Sequence, residues 1–341
     1  MTTLEILRRL CEADGVSGEE NAASEAAAEL LRAYTDDVAV DAFGSVAANL
    51  HDAGEGAPRL LLDAHIDQIG MIVTHITEEG FVRVAPCGGV DRRLLLAQEV
   101  VIHGSRPVPG IVGTKPPHLT SGDEAKKVVD IEEIAIDTGY SREELLKWVA
   151  PGDRVTYVSA FTQLENGRVT SRSLDDRAGA AAILHALELL KDKPLGCSLT
   201  VVFSSQEETG GLGAATTAFR VKPDAAIAVD VSFALTADAD EVKCGKMGGG
   251  PMIGVSPILN RGMFDELVSL SKTQRISWQV EVMGGRTSTN ADQISVAAGG
   301  VRTALLSIPL KYMHTPVEVV QLSDVEAVGN LIAQYILHCG E

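Results

Sequence analysis

Leu199-Thr200-Val201-Val202-Phe203-Ser204-Ser205-Gln206-Glu207-Glu208-Thr209-Gly210-Gly211 is the stretch that decides the fold. Its first five residues, apolar or β-branched, read as a buried strand, and two adjacent carboxylates follow where paired glycines turn the chain into a helix. In open α/β sheets, sites lie beyond the C-terminal ends of the strands. Acids in the first turn of a helix also stabilise its dipole, so the pair has two explanations and the surrounding chain must choose.

Downstream of residue 176 the pattern alternates. Helices are expected over 177–191, 211–219, 263–273, 291–298 and 323–337, with strands over 199–204, 225–229, 277–282 and 303–308. Such alternation predicts a mixed, largely parallel sheet flanked by helices on both faces. Upstream, helical periodicity covers 3–12 and 18–34, the second opened by Ser17-Gly18-Glu19-Glu20 in capping-box form. Residues 38–40 and 46–50 read as a strand pair turned at Gly44, and 60–64 as a short buried strand ending at His65-Ile66-Asp67. From 69 to 165 the texture becomes β-rich: a hairpin over 71–76 and 81–85 turns at Glu78-Glu79-Gly80, and 99–103 and 108–112 alternate like strands. Residues 116–127 read as an exposed loop, and Ser141-Arg142-Glu143-Glu144 as the cap of a short helix. The expected architecture is an α/β domain, 1–68 with 166–341, interrupted by a β-rich insertion at 69–165.

Composition narrows the function. The 341 residues suffice for a large core, and 45% hydrophobic content marks a globular chain. A formal charge of -18 argues against nucleic acid or an anionic membrane as partner, both of which need a basic face, and suits an ammonium-bearing substrate. Five cysteines with no C-x-x-C spacing disfavour a disulfide framework and a thiolate metal site, and point to a reduced cytoplasm. No apolar run approaches the roughly 20 residues of a membrane span. Gly248-Gly249-Gly250 lacks the Lys-Ser/Thr ending of a phosphate-binding loop.

Candidate ligands then appear at one expected edge of the sheet. His65 and Asp67 follow one strand, Glu207 and Glu208 a second, Asp230 a third and His314 a fourth, while Asp175 and Asp176 open a helix. Each alone has an ordinary explanation as a cap, turn or surface residue. Residues two apart on an extended segment point the same way, so Asp67 is placed to orient His65 for metal ligation. The coincidence at one edge favours a site.

His65-Ile66-Asp67, Leu174-Asp175-Asp176-Arg177, Gln206-Glu207-Glu208-Thr209-Gly210, Val229-Asp230 and Lys311-Tyr312-Met313-His314-Thr315-Pro316-Val317-Glu318 occur in the order seen in the tetrahedral, or glutamyl, aminopeptidases, a family of dinuclear metallo-aminopeptidases that this chain resembles along nearly its whole length. Gly113-Thr114-Lys115-Pro116-Pro117-His118 extends the likeness into the insertion. The resemblance implies a zinc-peptidase-like catalytic domain and two divalent ions, zinc first, with cobalt or manganese as alternatives. It makes Asp175 the bridging carboxylate, pairs Glu208 and His314 at one ion and His65 and Asp230 at the other, and assigns Glu207 as general base and Asp67 as orienter of His65. It further implies peptide substrates with a free N-terminus, a barrel-like insertion serving dimerisation, and dimers that assemble into a tetrahedral dodecamer.

One departure stands out: the family commonly has Gly-Thr-Asp-Ala where this chain has Thr287-Ser288-Thr289-Asn290-Ala291. His118 and Cys87 read as ordinary residues of the insertion. Lys243, Lys246, Arg261 and Arg286 are candidates to meet an acidic substrate side chain, or solvated surface. Competing functions are an N-acyl amino-acid deacylase or carboxypeptidase-like enzyme on the same metals, an inactive metal-binding assembly protein, and a glycosidase using Glu207 and Glu208. The glycosidase needs its carboxyls about 5–10 Å apart across a sugar bond, which neighbouring residues rarely provide.

Overall fold

A computed structural model describes residues 1–122 and 127–339. The chain opens with helices α1 (Thr3–Glu12) and α2 (Asn21–Leu31), then strands β1 (Val38–Val40), β2 (Val46–His51) and β3 (Arg59–His65). The insertion follows as β4 (Gly70–Ile76), β5 (Val82–Cys87), β6 (Glu99–His103), β7 (Pro107–Val112), β8 (Ile136–Asp137), helix α3 (Arg142–Leu145) and β9 (Arg154–Tyr157). The chain continues through β10 (Thr162–Leu164), β11 (Arg168–Ser171), α4 (Leu174–Leu190), β12 (Ser198–Ser204), α5 (Leu212–Val221), β13 (Ala225–Phe233), β14 (Met252–Val255) and α6 (Arg261–Gln274). It ends with β15 (Gln279–Val282), α7 (Ala291–Ser295), β16 (Arg302–Lys311), β17 (Glu318–Gln321) and α8 (Leu322–Leu337).

The large sheet is mixed, in the order β1-β2-β12-β3-β13-β16-β17-β11-β10, with β14 and β15 joined at β16. Its centre, β12-β3-β13-β16, is parallel, while β2 and β17 pair antiparallel to their neighbours and β14 pairs antiparallel with β16 but parallel with β15. Alternation along these strands sorts side chains into two cores, because successive residues face opposite sides of a sheet. Leu60, Leu62, Val201, Phe203, Ile227 and Val229 pack with α1, α2, α4 and α8, while Leu61, Val202, Ala226 and Ala228 pack with α5 and α7. Central strands thus appear in the sequence as continuous apolar runs. Each fully buried Leu, Val or Phe contributes about 1.5–3 kcal/mol.

The insertion forms a closed antiparallel barrel in the order β4-β5-β8-β7-β6-β9, around its own core of residues such as Met71, Val84, Ile102 and Val155. The expected hairpin is β4 paired with β5, and Ser141 caps α3 with a capping box to Glu144. Strand β10 lies within the range assigned to the insertion but pairs with β11 in the large sheet. The loop expected over 116–127 holds a 3-10 turn at Pro117–Leu119, and residues 123–126 lie outside the described residues.

Two local readings are corrected. Ser17-Gly18-Glu19-Glu20 does not cap α2, which starts at Asn21; the Glu20 carboxylate instead accepts from the N–H groups of Gly18 (2.6 Å) and Gln206 (3.3 Å). Strand β13 continues through Asp230 to Phe233 instead of ending at Val229, since its pairing with β16 runs on to Phe233 opposite Leu310. Strands β11, β14 and β17, which the sequence reading did not delimit, are too short for their periodicity to stand out.

Arg177 is among the largest fully buried side chains. Its guanidinium donates to the carbonyls of Leu10, Ala13 and Ile66, tying the end of α1 to the exit of β3. Burial lowers its pKa to about 10, with the charges of Cys11, Asp14 and Asp67 acting upward. We predict that Arg177→Met, which strands these carbonyls, lowers stability by about 3 kcal/mol or more, read as a shift of the denaturant midpoint at unchanged slope. An unshifted midpoint would mean that the three carbonyls find other donors.

Candidate metal centre

Parallel register brings the strand ends together. Ser204, the last residue of β12, lies opposite His65, the last residue of β3, and Asp230 pairs with Ser307 of β16. The turn after β12 then carries Glu207 and Glu208, and the turn after β16 carries His314. Gln206, Tyr312 and His314 take left-handed backbone conformations there, with φ of 56°, 61° and 62°. The Asp175–Asp176 peptide is cis, and α4 becomes regular only after these two residues.

Asp175 stands between two histidines. One carboxylate oxygen, Oδ1, lies 3.0 Å from His65 Nε2; the other, Oδ2, lies 3.3 Å from His314 Nε2, which is also 3.4 Å from Glu208 Oε2. Two groups result, His65-Asp175-Asp230 and Asp175-Glu208-His314, each with ligand atoms within 4.8 Å of one another and with Asp175 in common. The five ligand candidates read from the sequence are thus all brought to one place.

Both histidines are held in the same manner. His65 Nδ1 lies 3.1 Å from the main-chain oxygen of Asp67 and 3.4 Å from its carboxylate, and His314 Nδ1 lies 3.1 Å from the main-chain oxygen of Gly89. A proton on Nδ1 leaves each Nε2, the atom nearest Asp175, with a lone pair for a cation. The Asp67 carboxylate accepts from the N–H groups of Glu207 (3.0 Å) and Glu208 (3.2 Å), fixing the turn that carries both acids.

Electrostatics follow from crowding. Burial pushes Asp230 well above the usual carboxylate range, with the charges of Asp175 and Glu207 adding to the rise against that of His65. Burial also raises Glu207 to about 8, opposed by His65 and reinforced by Glu208, Asp67 and Asp175. Asp175 feels the same burial, but hydrogen bonds from His314 and His65 bring it below its ordinary value. Burial would lower His314, yet Asp175 and Glu208 raise it to about 11. Carboxylates outnumber the cationic groups able to neutralise them, in a region of low dielectric. Two divalent cations fit that donor set of oxygen and imidazole nitrogen, which suits zinc, cobalt or manganese.

Sequence reasoning missed several supports. Glu318, buried, accepts from the N–H groups of His314 (2.9 Å) and Asp175 (3.2 Å), anchoring both from behind. Gly89 comes from the barrel: a Cβ there would sit 2.5 Å from His314 Nδ1, so only glycine admits the ring. The Gly88-Gly89 pair after β5 was the available signal. Asn290 does not cap α7 with its side chain; it donates to Asp63 Oδ2 (2.8 Å) and Ser204 Oγ (2.7 Å) beneath the strand ends. The amide therefore supplies a donor where an acid would place a second carboxyl beside Asp63. His118 is exposed, and Cys87 is a partly buried free thiol.

A cleft of about 980 Å³ opens over these residues. Lys243 and Arg286 reach its wall, the former 3.9 Å from Asp240 and the latter 3.0 Å from Asp292, whereas Arg261 pairs with Asp265 and Lys246 does not line it.

Comparison with known proteins accords with this geometry. The family model for M42 glutamyl aminopeptidase matches residues 44–331. A lysyl aminopeptidase of Pyrococcus furiosus is 32% identical over 334 residues, covering 96% of this chain and 94% of the relative. Among solved structures, an aminopeptidase from the archaeon Desulfurococcus kamchatkensis superposes with a TM-score of 0.92 at 34% identity, covering 98% of this chain and 94% of that one. The TET1 peptidase of Pyrococcus horikoshii, described as assembling into a tetrahedron or a large octahedral shell, has a TM-score of 0.85 at 34% identity, over 99% and 100% of the two chains. With the family model spanning most of its length and relatives above 30% identity covering nearly all of it, the chain belongs to the M42 glutamyl aminopeptidase family.

Proposed function

We propose that the protein is a dinuclear metallo-aminopeptidase, removing the N-terminal residue from peptides with a free N-terminus. The observation that carries the reading is the division of Asp175, one oxygen toward each of two histidine-containing groups. His65 and Asp230 would hold one divalent cation, Glu208 and His314 the other, with Asp175 common to both. When bound, such a pair of cations acidifies water and polarises the scissile carbonyl.

The chain's own residues do the rest. Glu207 is held by its main-chain N–H on Asp67 beside the ligands, and its burial raises its affinity for a proton into the range useful to a general base. It takes the proton of the attacking water and delivers it to the departing amine. Asp67 fixes both the backbone of Glu207 and the orientation of His65. The acidic cleft attracts the ammonium of a free N-terminus and repels a substrate that ends in a carboxylate there.

Residues 69–165 act in this reading as the dimerisation domain inserted between the catalytic segments 1–68 and 166–341, with dimers building a tetrahedral dodecamer. The assembly described for the P. horikoshii relative supports this. Five cysteines free of disulfides suit a cytoplasmic location.

A chelator is expected to abolish hydrolysis of aminoacyl chromogenic substrates, with zinc, cobalt or manganese restoring it; full activity in metal-free protein would overturn the reading. N-acetylated substrates should be refused, and their preference over free-amine substrates would indicate a deacylase instead. Glu207→Gln should keep two ions per chain by elemental analysis while kcat falls about 10²–10⁴-fold. Loss of metal with normal kcat after reconstitution would exchange the roles of Glu207 and Glu208. Asp67→Ala should weaken metal affinity about 10–100-fold in equilibrium dialysis; unchanged affinity would remove Asp67 from the supporting shell.

A further inference from the structure

Glu281 lies on the wall of the cleft, apart from the metal ligands, with no assigned role. It sits on β15 opposite Gly254 of β14, and its carboxylate crosses toward β13 and β16. One oxygen accepts from Ser232 Oγ and the other from Ser307 Oγ at 2.6 Å. These serines place it relative to the metal centre. Ser307 pairs directly with Asp230, and Ser232 is two residues beyond Asp230 on the same face of β13, about 6.6 Å along the strand.

No lysine or arginine forms an ion pair with Glu281 among the described residues, and the nearby wall cations are engaged elsewhere, Lys243 near Asp240 and Arg286 on Asp292. The two hydroxyls use half of the carboxylate's roughly four acceptor positions, leaving capacity for further donors. Burial raises its pKa against the two serine bonds, a cost that an incoming cation removes. Phe233, Met252, Met283 and Leu305 line the same cleft and offer apolar surface to a methylene stem.

We propose that Glu281 is a specificity-determining residue that receives the cationic side chain of an N-terminal lysine or arginine, so that basic aminoacyl peptides are the enzyme's substrate class. This rests on the aminopeptidase reading above. The cleft selects by charge at its far end and by apolar packing between.

The test uses the full-length, metal-loaded enzyme with matched lysyl, arginyl, norleucyl, leucyl and glutamyl chromogenic substrates. Lysyl and arginyl substrates should exceed norleucyl, the uncharged analogue of lysyl, by at least about tenfold in kcat/KM. Glu281→Gln should lower the basic substrates roughly 10- to 100-fold, the loss of a hydrogen bond to a charged group, and change norleucyl and leucyl less than about threefold. If the variant does not assemble, inhibition of the wild-type enzyme by L-lysine against L-norleucine reads the same charge, with L-lysine expected about tenfold tighter. Hydrolysis with leucyl, norleucyl or glutamyl preferred, equal loss on all substrates in Glu281→Gln, or equal inhibition by the two amino acids overturns the assignment of Glu281 alone. No hydrolysis of any free-amine substrate overturns the aminopeptidase reading, and this assignment with it.

Discussion

The arrangement depends on concentrating negative charge where water cannot screen it. Asp175, Glu207, Glu208 and Asp230 converge from one helix start and two strands, with His65 and His314 facing Asp175. Isolated carboxylates cannot remain charged at such burial without compensation. That tension suits the locus to a cation, and the surroundings are rich in fixed donors and acceptors. Glu318, Asp67 and the Gly89 carbonyl all hold the segments that carry the candidate ligands, through hydrogen bonds to main-chain N–H groups or to Nδ1 of a histidine.

Those supports come from distant parts of the chain. Asp67 lies just after β3, Glu318 opens β17, and Gly89 belongs to the barrel. The barrel is therefore more than an appendage: its Gly88-Gly89 turn closes against Glu208 and His314 so tightly that a Cβ at either glycine would press on one of these side chains. Arg177 performs the matching task from below, joining the carbonyls of α1 to the exit of β3. Hydrogen bonds from both modules thus meet at the site, from Gly89 on the barrel side and from Asp67 and Glu318 on the sheet side.

Beyond the candidate ligands lies the part of the cleft that a substrate side chain would meet. The wall of the cleft mixes apolar side chains with Glu281, Lys243 and Arg286, and charge there is unevenly compensated. A pocket of this kind distinguishes substrates through buried polar groups left paired or unpaired, a stronger discriminator than added apolar contact.

Much of the fold was legible because the central strands are buried on both faces and appear as unbroken apolar runs: Leu60 to Ala64, Leu199 to Phe203, Ala225 to Val229. The positions of the candidate ligands were legible for the same reason, since acids and histidines at the ends of such runs share one edge in a parallel sheet. Short strands such as β14 and β17 carry too few residues to show a period. The Ser17–Glu20 pattern failed because both of its side chains are used elsewhere, Ser17 on the Thr209 hydroxyl and Glu20 on the N–H groups of Gly18 and Gln206. Sequence by itself determined which residues are chemically able to bind metal and roughly where the sheet would present them. Only the tertiary structure decided that Asp67 and Glu318 hold backbone N–H groups, that Gly89 closes on His314, and that Glu281 faces the cleft, because each depends on register between segments far apart in sequence.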